Sequence, residues 1–321
     1  MNQDRTLHGV HEKTVTDCCD EYNSGMREKD LFIIIPVLNR WEQTQKCLAH
    51  LLSGSFTDFS IIVVDHGSTD GTREGLENEY PDIIRIPGTD DLWWTGATNL
   101  GIRTALEQGA DLIMLLNNDC YVSHDTVEIL LGHSSSNPDA IIAPVHRNLN
   151  SGEIITRRGG TLFLLGFPTL LLPGKSLYSP DTTGLRSTSL IMGGRGTLIP
   201  AGIFGKIGLF NDVDLPHYWA DHDFFLRCRQ NGIHQYIAQN TLVDIDENTT
   251  TVASRLRHMT LSQFIDSFTN RRSHRNIRDL VSLFRLHYPV PGLYPLGVFL
   301  NMTRYTLMYF FARVRNLAGS H

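Results

Sequence analysis

The segment LLNNDC, residues 115 to 120, is an apolar run that stops at two asparagines and an acid. Another run, SIIVVD, ends on Asp65, and in YWADHDFFLR the acids Asp221 and Asp223 open a segment that reads as a helix. Carboxylates so placed can do two kinds of chemistry. A hard divalent cation is held by one or two carboxylates, with phosphate oxygens and water completing its shell. A carboxylate within reach of a hydroxyl can instead take its proton. Each acid taken alone is equally a turn residue or a helix cap.

The elements that must position these groups follow from periodicity. Short apolar runs stand at LFIIIP (31 to 36), SIIVVD (60 to 65), DIIRIP (82 to 87) and DLIMLL (111 to 116), and helix-length segments separate several of them. After the first run, Asn39 and Glu42 have capping-box spacing, and Trp41, Leu48, Leu51 and Leu52 recur at roughly helical intervals. Alternating strands and helices predict an α/β fold with a mostly parallel central sheet flanked by helices. Ligands of such sheets gather at the carboxyl ends of the strands. Asp65 and the triplet Asn117, Asn118 and Asp119 therefore share one edge.

Two further stretches belong to that edge. HGSTDGT, with Gly67, Ser68, Asp70, Gly71 and Thr72, makes a tight polar turn leading into a helix. DDLWWTGATNLGI places Thr95, Gly96, Ala97, Asn99 and Gly101 at a helix start, where small side chains let a sugar or phosphate approach the backbone. Trp93 and Trp94 stack on a ligand ring or pack in the core, core packing being the expectation for Trp93. Gly193, Gly194 and Gly196 supply backbone that can approach a ligand or move.

Four blocks in order, FIIIPVLNR, IIVVDHGSTDGT, WWTGATNLGI leading to LLNNDC, and GLFNDVDLPHYWADHDFFLRCRQNG, resemble the family 2 glycosyltransferases of the bacterial rhamnosyltransferase-like type. The resemblance spans about Leu31 to Asp246. It implies the GT-A nucleotide-diphospho-sugar transferase fold and an inverting enzyme. By it, Pro36 and Leu38 line a nucleobase pocket, Asp65 binds the base, and Trp94, Thr95, Gly96 and Asn99 lie along the donor. Asn117, Asn118 and Asp119 stand at the metal motif, with Asp119 reaching Mg2+ or Mn2+ on the diphosphate. Asn117 stands where the family often has an acid, and Ala220 replaces the first acid of the last block. Asp221 is implied as general base; the alternative is that Asp221 caps the helix and Asp223 is the base. His222, between them, is expected to be solvated. RGTLIPAGIFGKIGLF (195 to 210) matches a loop and short helix on the acceptor side. The implied donor is a UDP- or dTDP-type nucleotide sugar, and the acceptor a saccharide or lipid-linked saccharide in cell-surface polysaccharide assembly.

The 321-residue chain has 41% hydrophobic residues, which suits a globular core. Residues 1 to 30 read as a polar tail lacking a signal-like apolar run. Residues 31 to 250 read as the catalytic domain, and residues 251 to 321 as a basic helical extension. Five scattered cysteines with no CxxC pair indicate neither a disulfide framework nor a zinc site and suit the cytoplasm. From Arg255 onward there are ten Arg, two Asp and no Lys or Glu; this +8 leaves −14 on residues 1 to 254. The acidic body does not suit a general nucleic-acid binder. The basic end suits an interfacial helix at the inner face of a membrane, or packing on the body or on a second subunit. His258 and the pair Arg271 and Arg272 are candidates to approach the donor phosphates. Rival readings are a sugar nucleotidyltransferase, whose glycine-rich start is replaced here by PVLNR, and a non-catalytic nucleotide-sugar or glycan binder.

Overall fold

The computed structural model describes residues 30–172, 176–182, 184–246, 256 and 259–318. The polar start up to residue 29 and His258 lie outside them. In chain order the strands and helices are β1 (Leu31–Val37), α1 (Trp41–Leu52), β2 (Ser60–Asp65), α2 (Thr72–Glu79), β3 (Ile84–Pro87), α3 (Trp93–Glu107), β4 (Leu112–Leu116), β5 (Cys120–Val122), α4 (Thr126–Ser136) and β6 (Ile141–Asn148). There follow β7 (Gly159–Leu162), β8 (Phe167–Leu171), β9 (Leu185–Ser187), β10 (Arg195–Pro200), α5 (Gly202–Ile207), α6 (Ala220–Gln230) and β11 (Gln235–Ile245). The chain closes with α7 (Leu261–Asp266), α8 (Ile277–His287) and α9 (Tyr294–Ala318).

The main sheet runs β3-β2-β1-β4-β10-β6-β11-β5, with β9 on β11. From β3 to β4 every pairing is parallel, as the apolar runs predict. Beyond β4 the sheet is mixed, because β10 is antiparallel to both neighbours and β5 is antiparallel to β11. The expectation of a mostly parallel sheet thus holds for the half that carries the first three blocks. Residues 195 to 200, read from sequence as a loop, are strand β10, which precedes the short helix α5.

Strand β1 is buried from end to end. Phe32 and Ile34 face the layer of α3 and α6, while Leu31, Ile33, Ile35 and Val37 face that of α1 and α4. Burial on both faces is why β1, β2 and β4 read as continuous apolar runs. Gly101 is set by this packing: a Cβ there would run into Ile34 Cγ2, so its small size serves helix-on-sheet contact. The predicted capping box at Asn39 does not form. The start of α1 is instead held by the next loop, where Asp70 Oδ2 accepts the Trp41 amide at 3.0 Å. Asn39 also joins that loop, its Oδ1 accepting the Thr69 amide at 2.8 Å and its own amide donating to Ser68 Oγ at 2.7 Å.

Of the C-terminal helices, α9 has two different sides. Tyr309 stacks on Phe264 of α7 with centroids 4.3 Å apart, and buried Asn301 donates to the Gly166 carbonyl at 2.7 Å. Phe299, Phe310, Phe311 and Val314 are exposed. No helix among the described residues is long and apolar enough to cross a membrane.

Candidate active site

The carboxyl ends of β1, β2 and β4 form one edge. Pro36 is buried in β1 and Leu38 is half-buried just beyond it. Asp65, the last residue of β2, is buried, with its Oδ1 accepting the Ser68 amide at 2.9 Å and its carbonyl accepting the Gly88 amide at 2.8 Å. The βα loops after β1 and β2 are therefore tied into one wall beside Asp65.

Past β4 the chain turns through Asn117, Asn118 and Asp119 into β5. Asn117 Oδ1 accepts from Trp94 Nε1 at 2.9 Å, and its amide donates to the Gly194 carbonyl at 2.6 Å. Asn118 turns toward α1, donating to the buried Thr44 hydroxyl at 3.0 Å, so it holds the turn from behind. Asp119 is buried, with Arg40 Nη1 3.8 Å from Oδ2. Burial pushes its carboxyl pKa up, while Arg195 and Arg40 oppose the rise. Among the described residues no cluster of three metal-ligating side chains occurs. The donor set fits the lean kind of site, in which one buried carboxylate anchors a hard cation and phosphate oxygens and water complete its shell. Asp246 closes the same edge, its amide donating to the Asp119 carbonyl at 3.0 Å.

The acidic pair on α6 separates clearly. Asp223 is buried, with Oδ2 accepting from Arg227 Nε and Oδ1 from His287 Nε2, each at 2.9 Å. Burial alone would raise its pKa, but His287 and Arg227 hold it below the ordinary carboxylate range. Asp223 is thus an anchor between α6 and α8. The Asp221 side chain stays 25% exposed, and its oxygens accept from the amides of Gly193 at 3.1 Å and His222 at 2.8 Å. Burial would raise its pKa too, yet hydrogen bonds and charge from His222 and the Gly193 amide keep it low. Both carboxyls are held low, and Asp221 is the reachable one of the two. Ala220, where an acid of the resembled motif is missing, is fully buried.

Gly193 and Gly194 join the two acidic stretches. A Cβ on Gly193 would lie 2.8 Å from Asp221 Cβ, and one on Gly194 would lie 2.6 Å from Asn117 Oδ1. Gly194 also has φ +71°, a conformation that L side chains rarely adopt.

Several residues expected at the ligand have their polar groups engaged inside the protein. Thr95 is fully buried, its hydroxyl donating to the Leu215 carbonyl at 2.8 Å. Asn99 is 1% exposed and brackets Phe210, donating to its carbonyl at 2.9 Å and accepting its amide at 3.1 Å. Gly96 is buried on the same helix. This face of α3 clamps the 210–216 loop; its polar atoms are engaged inside the protein. The tryptophans also depart from expectation: Trp94 packs edge-on to Phe210 against the core, while Trp93, at φ +51°, is half-buried and lies 5.6 Å from His217. His222 is not solvated but buried, sharing a 2.7 Å hydrogen bond with Thr169 of β8.

Sequence reasoning missed Arg40, Arg195, His66 and His217. Burial lowers the pKa of His66, with Asp65 and Asp90 opposing, and brings that of His217 down to about 4, aided by Arg272 and His66. Arg272 acts on the charge of His217, and Arg271 on that of Asp279. The only advance signal for His66 was its place beside Asp65.

The family model for glycosyl transferase family 2 matches residues 32–189, which include Asp65 and the Asn117–Asp119 turn and end before Gly193 and Asp221. Residues 32–189 carry a family 2 glycosyltransferase domain. A relative described as an uncharacterized glycosyltransferase of Rickettsia felis is 30% identical over 186 residues, 56% of this chain and 28% of the relative. The chain thus spans less than a third of that relative's length. The N-acetylglucosaminyl-diphospho-decaprenol L-rhamnosyltransferase of Mycobacterium tuberculosis is 23% identical over 185 residues, 52% of this chain and 60% of the relative. Among solved structures, S. aureus TarS 1-349 superposes with TM-score 0.52 at 13% identity, covering 90% of this chain and 92% of TarS 1-349. GalNAc-T7, solved with UDP, GalNAc and Mn2+, superposes with TM-score 0.58 at 13% identity, covering 91% of this chain and 58% of GalNAc-T7. The glycosyltransferase domain has the GT-A fold.

Proposed function

We propose that this glycosyltransferase moves a sugar from a nucleoside-diphosphate sugar to a hydroxyl of a saccharide or lipid-linked saccharide, inverting the anomeric carbon. The observation that carries the reading is the meeting of Asp221 and the Asp119 turn across Gly193 and Gly194. One group can hold the departing diphosphate's counter-charge while the other faces the incoming hydroxyl. A UDP- or dTDP-type donor is favoured; a TarS structure with UDP-GlcNAc has the same fold, at TM-score 0.51 and 13% identity, covering 90% of this chain and 92% of that one.

In this reaction the acceptor oxygen bonds to the anomeric carbon as the bond from that carbon to the diphosphate oxygen breaks. The diphosphate leaves with the electron pair, and the hydroxyl proton goes to Asp221. The amides of Gly193 and His222 fix the Asp221 carboxylate, so the orientation needed for proton transfer is set before substrate arrives. Asp119 is the residue that would hold Mg2+ or Mn2+; the cation supplies charge neutralisation at the leaving diphosphate. Arg40 and Arg195 beside Asp119 add positive potential in the same place. Asp65, with Pro36 and Leu38, is assigned to the nucleobase, and Trp93 with His217 to the pocket wall.

The exposed apolar side of α9, in a segment with ten Arg and no Lys or Glu, favours contact with the inner face of an anionic membrane, where lipid-linked acceptors are presented. The test of the main reading is release of nucleoside diphosphate from a panel of nucleotide sugars, with anomeric configuration of the product read by NMR. A retained configuration contradicts it.

A further inference from the structure

Away from the edge just described, the β7-β8 hairpin, β9 and the far end of α6 line an open pocket of about 340 Å³. Arg158, Arg186 and Arg229 line it, with Thr188, Ser189 and the buried Ile237 between them. The hydroxyls of Thr188 and Ser189 already donate to the carbonyls of Leu190 and Gly159, so the side-chain donors left to a ligand are the three guanidinium groups and the Ser187 hydroxyl.

Three guanidinium groups meet here with no carboxylate in the lining. Arg40, Arg73, Arg85, Arg147, Arg157, Arg227 and Arg285 each have a carboxylate partner. Arg158, Arg186 and Arg229 have no ion pair among the described residues, although residues 1 to 254 carry a net −14. Three like charges held around one pocket repel one another, and an anion seated among them reverses that. Guanidinium forks match the oxygens of phosphate in a bidentate manner, and the apolar floor at Ile237 lowers the local dielectric and strengthens the contact.

We propose that this pocket binds a phosphate or diphosphate group of a second ligand, separate from the donor diphosphate at Asp119. Arg229 lies eight residues beyond Asp221 on α6, about 12 Å of helix rise. That spacing suits a phosphate carried at some distance from the reacting hydroxyl, a use that rests on the sugar-transfer reading; the binding itself does not.

Calorimetric titration of the full chain with inorganic pyrophosphate in EDTA, which silences cation-dependent capture at Asp119, reads the site alone. Saturable binding is expected, at least tenfold weaker in the Arg158→Gln, Arg186→Gln, Arg229→Gln triple variant and several-fold weaker in Arg229→Gln alone, which changes one exposed side chain. A parallel arm uses phosphatidylcholine vesicles with and without phosphatidic acid. Vesicle binding that depends on the three arginines assigns the phosphate to a lipid headgroup; pyrophosphate binding without it assigns a soluble phosphorylated ligand. Absence of pyrophosphate binding by the wild type, or an affinity unchanged in variants that melt like it, overturns the proposal.

Discussion

The amide of Gly193 donates to Asp221 Oδ2 at 3.1 Å. The next residue, Gly194, accepts from Asn117 at 2.6 Å, so two consecutive glycines set the distance between the proposed base and the proposed metal turn. Gly193→Ala would press a methyl to 2.8 Å from Asp221 Cβ and 3.1 Å from Phe225. Its expected effect is a fall in kcat of at least tenfold with a smaller change in donor affinity, measured by steady-state kinetics beside donor thermal shift.

Asn99 makes buried hydrogen bonds to both backbone groups of Phe210 and to Asp212. Asn99→Ala leaves those groups buried without partners, a loss of about 1 to 3 kcal/mol. Urea unfolding should show it, and donor binding should be no more affected than by other substitutions of equal cost.

Much of the first half was legible in sequence because β1, β2 and β4 are buried on both faces and so read as apolar runs. Strands β8, β9 and β10 were not, being short, partly exposed or irregular in register. The shared edge of Asp65 and Asp119 followed from topology alone. The partners of Thr95 and Asn99 did not, since they lie 120 and 111 residues away in sequence. For the same reason, the burial of His222 depends on Thr169, 53 residues before it.

Three histidines give the fold a pH dependence. Burial lowers the pKa of His146 to about 3 and those of His217 and His274 to about 4, each with nearby arginine charge adding to the effect. Below the unfolded value of about 6.5 the unfolded chain gains protons that the native state refuses. Stability should therefore fall as pH drops from about 6.5 toward 4 and level off below the native values. His146→Gln, which keeps a donor for the Arg195 carbonyl, should flatten that slope in melting curves between pH 7.5 and 5.

The α9 face predicts membrane contact. Replacing Phe299, Phe310 and Phe311 with Ser should abolish co-sedimentation with anionic vesicles and leave the melting temperature close to that of the wild type, since all three side chains are exposed. Equal sedimentation of the variant would remove α9 as the contact.

Asp119→Ala should lose the response of turnover to Mn2+, and an unchanged response would remove Asp119 from the metal site. The most direct measurement of the whole account is donor hydrolysis by the wild type and by Asp221→Asn, across nucleotide sugars, with Mn2+ and with EDTA. The account predicts one donor that stabilises both proteins and is cleaved by the wild type in Mn2+, with turnover at least a hundredfold lower in Asp221→Asn. Full-rate cleavage by the variant, or a wild type that binds no nucleotide sugar, would contradict it.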